Sequence, residues 1–297
     1  GVPVYNVGHL LGFFSIFNGS HFKKMNIKRA ATNGAYPNRI GGTLDMTPFL
    51  NIADSLEGEY SVGLISSQGT MRTPLGRNTS ATISIRGSYL NLLYGRWLKA
   101  DNTQIYYQFG DANVSVIHKF SEQDRLLIDF YTGIDNAKFN EANYMAKIKA
   151  KWGNTTGAIH WLHDGQKWSS HHSIYVSSYH NHFRLQMEEA EGRMPSYITD
   201  FGLKTNSKWR QLSFGGDVVA HFIRPQTIYA DNFYSDITSV PDRQNAMETS
   251  VYADWKQPLS ASLSLNAGTR LTLWHIDKHN FKSADPSITL QYDNNKG

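Results

Sequence analysis

Six histidines crowd one stretch of the chain: His160, His163, His171, His172, His180 and His182. Coordination of a metal or haem iron would need two or three of them to converge. On an extended strand His160 and His163 have opposite parity and point to opposite faces, whereas His180 and His182 share a face. That spacing is as well suited to surface, lumen or loop histidines, so no metal site is assigned. Asp129, Asp135, Asp200, Asp217 and Asp254 fall on polar strand faces. Paired carboxylates at suitable separation hydrolyse glycosides, but carboxylates on a polar inner wall also serve to hold an inserted segment. A nucleophile elbow, phosphate loop, HExxH pair or calcium loop is absent from the sequence. Cysteine is absent too, which removes disulfides, thiolate zinc sites and a cysteine nucleophile. No catalytic residue and no cofactor are expected.

These side chains must be carried by strands. From about residue 58 the dominant signal is period two. Ala81, Ile83 and Ile85 alternate with Thr82, Ser84 and Arg86. Leu126, Ile128, Phe130 and Ile134 oppose Asp129, Tyr131 and Asp135. Leu263, Leu265, Ala267, Leu271 and Leu273 oppose Ser264, Asn266, Arg270 and Thr272. About twelve runs follow, near 58–66, 69–75, 80–93, 103–119, 125–136, 143–163, 171–187, 196–206, 211–224, 247–257, 261–276 and 286–293. Several exceed by far the 5–6 residues of an ordinary strand and the roughly 9–11 needed to cross a bilayer obliquely. Short polar turns are predicted at 76–79, 121–124, Asp164-Gly165, Ser207-Lys208 and 258–260. Longer loops are predicted near 94–102, 137–142, 188–195, 225–246 and 277–285. Alternation alone also fits a large β-sandwich or propeller. Strand length and the asymmetry of the loops point to a transmembrane antiparallel β-barrel, apolar toward lipid and polar within.

Composition bounds the rest. The 297 residues are 40% hydrophobic and 18% charged, which excludes a disordered chain. The formal charge of +4 comes from scattered Lys and Arg without a basic stripe, so no nucleic-acid partner is expected. Tyr, Phe and Trp are abundant, as at an interface with one apolar and one wet side, or in a sugar-binding groove. The longest apolar cluster, Leu10 to Phe17, is too short for a transmembrane helix. Residues 1–50 differ from the remainder: an extended piece (Val2 to Tyr5), a short helix (Leu10 to Phe17), a strand-like stretch (Lys24 to Ala30) and a Gly-rich turn. This small mixed α/β unit has no core of its own and must pack on something larger.

Three passages together resemble the TonB-dependent outer-membrane receptors of Bacteroidetes-type bacteria. GVPVYNVGHLLGFFSIFN (1–18) looks like the middle of their plug domain. MNIKRAATNGAYPNRIGGTLDM (25–46) resembles the closing plug motif, with Ile40 where an aromatic is usual and Thr43 after the glycine pair. GLISSQGTMRTPL and SATISIRGSYLNLL (63–75 and 80–93) look like the first barrel strands. The resemblance implies a barrel of about 22 strands in the parent. Of these about twelve would be here, with residues 1–52 as the rear of the plug and 53–297 as the first half of the wall. It implies a bacterial outer-membrane location, no enzymatic activity, and TonB-driven import of a scarce nutrient. A ferric siderophore comes first, with haem, cobalamin or a glycan behind. The implied partners are the TonB energy-transducing complex (its contact segment absent from this chain), outer-membrane lipid, an extracellular ligand and a possible surface lipoprotein. The residues matching the ligand-facing plug apex are Tyr5, Asn6, Val7, Gly8 and His9. Tyr94, Trp97 and Phe233 join them from outer loops, with interface packing as the plainer role for these aromatics. Gly34, Gly41 and Gly42 are expected at positive φ in plug turns. Arg39 is expected either to latch the plug onto wall carboxylates or to lie solvated in a loop. A passive porin and a soluble carbohydrate-binding β protein remain as alternatives.

Overall fold

Twelve strands in an unbroken up-and-down meander make the body of the structure. The computed structural model describes residues 1–28, 34–36, 42–142, 145–188, 190–232, 237–239 and 241–292. The first strands are short: β1 (Gly8–His9), β2 (Phe14–Ser15), β3 (Phe22–Lys28) and β4 (Thr43–Pro48). The sheet then begins with β5 (Glu57–Val62), β6 (Ser66–Gly76), β7 (Thr79–Ser88), β8 (Lys99–Ala100), β9 (Thr103–Lys119) and β10 (Asp124–Glu141). It continues with β11 (Ala146–Asp164), β12 (Trp168–Gln186), β13 (Ala190–Trp209), β14 (Leu212–Arg224), β15 (Ile228–Asn232) and β16 (Ile237–Ser239). It closes with β17 (Gln244–Pro258), β18 (Leu263–Ile276) and β19 (His279–Tyr292). Among the described residues one α-helix, α1 (Leu90–Tyr94), sits between β7 and β8. The spatial order is β5-β6-β7-β9-β10-β11-β12-β13-β14-β17-β18-β19, with β8 beside β9 and the β15–β16 hairpin beside β13. Every pairing is antiparallel. The twelve expected runs correspond one for one to the twelve strands of this path.

The polarity of the sheet is the reverse of a soluble β-sandwich. One face is polar and covered: Ser84, Asp111, Asn113, Asp135, Asn154, Ser177, Asp200, Asp254 and Arg270 are all buried on it. The other face is apolar and bare, with Ile85 63%, Ile174 62%, Phe201 55%, Leu203 54% and Val251 57% exposed. A second sheet against the apolar side, which the sandwich reading requires, is absent among the described residues. Among the described residues two small apolar clusters lie on the covered side. Tyr107, Phe109 and Ala137 meet Leu10, Phe14, Leu90 and Trp152, and Ala158, Tyr175 and Val219 meet Val2. A sheet with a continuous apolar surface and paired interior polar groups is stable where that surface meets hydrocarbon.

Several local expectations are corrected. Three of the five long loops are tight turns instead: β10 pairs with β11 out to Glu141↔Ala146, β12 with β13 out to Gln186↔Glu191, and β18 with β19 out to Ile276↔His279. Over 279–284 both faces meet water and alternation fades, and at Ala137 and Phe139 the apolar residues lie on the covered face, yet the hydrogen-bond ladder runs on. β9 to β13 thereby reach 17 to 20 residues. At about 3.3 Å per residue that is some 55–65 Å, far beyond a bilayer core. Only 89–102 and 225–243 remain long excursions at that end. The turn expected at Ser207-Lys208 lies at Arg210 and Gln211, with Arg210 at φ 54°. The run over 80–93 stops at Ser88, and Leu90–Tyr94 is helical. The helix expected over Leu10 to Phe17 is a β1–β2 hairpin around a 3-10 turn at Leu10–Gly12. Glycines dictate this: Gly12 takes φ 98°, and a Cβ on Gly8 would lie 2.7 Å from the Gly12 Cα.

Candidate functional site

The described residues among 1–54 meet the polar face at strands from β6 to β18, and side chains of the wall hold their backbone. Ser177 Oγ donates to Pro3 O at 2.6 Å. Asn154 acts as a detached piece of strand: its Oδ1 accepts from Tyr5 N and Asn6 N, both at 3.2 Å, and its Nδ2 donates to Asn6 O at 2.7 Å. The Tyr5 hydroxyl donates to Asp200, whose other oxygen takes His221 Nδ1 at 2.8 Å. Farther along, Ser80 Oγ accepts from Ala53 N at 2.6 Å and Arg72 Nη2 donates to Asn51 O at 2.7 Å.

His9 is the centre of the strongest of these attachments. It is fully buried, its ring stacks on Phe109 at 4.3 Å, and its two nitrogens meet two carboxylates: Nδ1 to Asp135 at 2.9 Å and Nε2 to Asp111 at 3.1 Å. Both contacts are hydrogen bonds only if both nitrogens carry protons, which defines an imidazolium. Burial alone pulls the His9 pKa down, but the hydrogen bonds and charges of Asp111 and Asp135 outweigh it and hold it above its ordinary 6.5. Arg86 completes the charge balance, with Nε 2.8 Å from Asp111 while Nη2 donates to Ser15 O at 2.7 Å. Tyr107 joins the network through its hydroxyl, which donates to Asp135 and accepts from Leu10 N.

His21 is buried by the opposite logic. It touches two hydroxyls, Ser84 Oγ at 2.8 Å and Ser115 Oγ at 2.7 Å. Burial lowers its pKa to about 4 against a weaker opposing pull from Asp129, so it is neutral at physiological pH. At the far side, Asp254 accepts from Gly34 N at 2.9 and 3.0 Å, and Arg270 Nη1 donates to Gly34 O at 2.9 Å while Nη2 pairs with Asp217 at 2.8 Å.

The expected ligand residues fall in three places. Tyr5 is 40% exposed beside Tyr179, and Asn6 is half-buried under Asn154. His9 is sealed from solvent and holds the chain to the wall, which corrects its expected place at a ligand surface. Tyr94 and Trp97 pack on each other at 6.3 Å on the β7–β9 connection, with Trp97 74% exposed. Among the turn glycines, Gly42 has φ 89°. Gly34 does not need positive φ. It is required by close approach, since a Cβ there would meet Tyr252 Cβ at 2.6 Å. Arg39, Gly41 and Phe233 lie outside the described residues. The five aspartates singled out all lie on the covered face, and Asp135, Asp200 and Asp254 bond directly to the amino-terminal segment. His160 and His171 meet at 3.1 Å, and His180 and His182 stay on the bare face. Among the described residues no three His, Cys, Asp or Glu converge as a metal site.

Sequence reasoning missed Asp111, Asn154 and Arg86 as holding groups. Their signal was available: each sits at the polar parity of its strand, Asp111 beside Asn113, Asn154 beside Thr156 and Arg86 between Ser84 and Ser88. Phe13 was missed because a helix was expected there. It stands 81% exposed at the tip of the β1–β2 hairpin.

No family model matches the chain, and no curated protein does. Solved structures do. The ferripyoverdine receptor of the outer membrane of Pseudomonas aeruginosa superposes with a TM-score of 0.63 at 8% identity, over 93% of this chain and 45% of that one. BauA, the ferric preacinetobactin receptor from Acinetobacter baumannii, gives 0.61 at 10% identity, over 95% and 52%. The copper transporter OprC gives 0.62 at 8% identity, over 94% and 48%. The chain thus spans about half the length of these proteins. At such identities the likeness is one of fold, and the fold is the antiparallel β wall of outer-membrane barrel receptors.

Proposed function

We propose that the chain is part of an outer-membrane importer of the TonB-dependent kind, with residues 1–52 as the rear of a plug and 53–297 as about half of the barrel wall. The observation that carries this reading is the inverted sheet, apolar outside and polar within, whose polar face is spanned by a segment bonded to it at His9, His21 and Gly34. A passive porin has no use for such a segment. The resemblance of residues 1–18 and 25–46 to plug sequences of Bacteroidetes-type receptors supports the same assignment. Ligand is taken up from outside at the end that carries the β1–β2 hairpin tip and α1, through Phe13, Tyr5, Asn6, Tyr94 and Trp97. TonB then draws on the plug from the periplasm, and the side-chain bonds to the wall set the force needed. No covalent chemistry is involved. The cargo class best suited to exposed aromatics with polar neighbours is a ring-bearing ferric siderophore; haem, cobalamin and glycans are the other candidates.

Growth of a deletion strain on single iron sources, each in turn, tests the proposal. Loss of growth on one source, restored by the wild-type gene but not in a strain lacking TonB, is the expected result. Unchanged growth on every iron, cobalamin and glycan source overturns it.

A further inference from the structure

The bare face of the wall carries a row of like charges that carboxylates of the sheet meet only at its arginine end. Lys138 on β10 is directly opposite Lys149 on β11, Lys149 is opposite Arg184 on β12, and Arg184 is opposite Arg193 on β13. Directly opposed side chains stand about 5 Å apart at Cβ, and like charges there are destabilising. Lys147 and Lys151 flank Lys149 on the same face of β11, and all six side chains are exposed. Two carboxylates reach the group. Glu191 meets Arg184 at 2.6 Å and Arg193 at 3.1 Å, and Asp231 lies 3.8 Å from Arg193. Lys138 rests over the Tyr106 ring at 4.9 Å. Among the described residues Lys147, Lys149 and Lys151 have no carboxylate at ion-pair distance.

Their height identifies what could cover them. At the tight-turn end the bare face bears Trp161, Trp168 and Trp209, the aromatic girdle expected where hydrocarbon meets water. From Trp161 to Lys149 along β11 the bare face shows Ile159, Gly157, Thr155 and Gly153 before its first charge, Lys151. Those twelve residues rise about 3.3 Å each, and on a strand tilted by about 40° they climb roughly 30 Å, against an apolar belt of about 25 Å. Lys151 and Lys149 therefore stand at the opposite headgroup layer, on the side of the β7–β9 connection, with Arg184 beside Lys149 on the next strand.

We propose that Lys147, Lys149, Lys151 and Arg184 bind the phosphates of a multiply phosphorylated lipid headgroup in the outer leaflet. Lysines supply point charges and the arginine a planar fork for phosphate oxygens. The inference rests on the reading of the sheet as a membrane wall. Its test is lipid retention by the full-length protein extracted from membranes in detergent, read by native mass spectrometry. The probes are diphosphoryl lipid A, the same lipid with its phosphates removed, phosphatidylcholine and soluble inositol hexakisphosphate. Wild-type protein is expected to retain diphosphoryl lipid A at least tenfold better than the dephosphorylated lipid or phosphatidylcholine. The combined Lys147→Gln, Lys149→Gln and Lys151→Gln variant should lose that preference, and a Lys278→Gln, Lys282→Gln control should keep it. Equal retention of the dephosphorylated lipid by wild-type protein, a comparison that needs no variant, overturns the proposal. So does equal retention by the triple variant, or tighter binding of inositol hexakisphosphate than of the lipid, which would make a soluble polyanion the partner. Failure to partition into membranes at all would instead overturn the importer reading.

Discussion

Replacing His9 by Ala should release the amino-terminal segment from the wall without unfolding the sheet. The substitution removes two hydrogen bonds between an imidazolium and carboxylates, at 2.9 and 3.1 Å, in a place sealed from water. Each such bond contributes about 1.5–3 kcal/mol. The change also strands Asp135, left with the Tyr107 hydroxyl alone, while Asp111 keeps Arg86. Breaking a buried ion pair from one side costs about 3–5 kcal/mol. With about 1.4 kcal/mol per factor of ten, a loss near 4 kcal/mol raises local opening roughly a thousandfold. Hydrogen exchange in detergent reads this at the amides of Tyr5 and Asn6, held by Asn154, and of Leu10, held by Tyr107. The pH dependence has a definite sign. The docked pKa of His9 lies above its free value of 6.5, so its contribution is complete below about 6.5 and is lost as pH rises through the docked pKa. Protection of these amides should fall toward alkaline pH in the wild type, and that slope should vanish in His9→Ala. Unchanged exchange in the variant, or protection that grows with pH, would refute the assignment of His9 as a protonated clamp.

Three further outcomes follow from the same geometry. His21 responds to acid in the opposite direction: docked near pKa 4 and free at 6.5, it loses about 2 kcal/mol of docking by pH 5, read as faster exchange over residues 18–22 while Leu10 stays protected. Gly34→Ala drives a Cβ to 2.6 Å from Tyr252 Cβ and 3.1 Å from Thr269 O. The turn must lift off Asp254 and Arg270, at a cost of about 3 kcal/mol or more for the buried charges left behind, visible as loss of protection at amide 34. Phe130→Arg, on the bare face within the apolar belt, should cost about 2–4 kcal/mol in urea unfolding from lipid vesicles, whereas Asn136→Arg nearer the interface should cost under about 1 kcal/mol. Equal costs at the two positions would argue against lipid contact.

Much of this architecture was legible in the order of residues because a strand's side-chain period is two wherever its faces meet different solvents. Ile128 and Phe130 against Asp129 and Tyr131, or Leu271 and Leu273 against Arg270 and Thr272, settle the faces of β10 and β18 from local alternation alone. The aspartates of the inner wall could be assigned to their face by the same parity. Where both faces are wet, as over 279–284, or where the apolar residues change face, as at Ala137 and Phe139, the expected alternation is lost although the ladder continues, so loops were expected where β10, β13 and β19 run on. What only the tertiary structure decided is pairing across long separations. His9 meets Asp111 and Asp135, His21 meets Ser84 and Ser115, and Gly34 meets Asp254 and Arg270. The row from Lys138 to Arg193 likewise depends on strand registers, and a register is the joint outcome of every hydrogen bond in the ladder, which no short stretch of sequence contains.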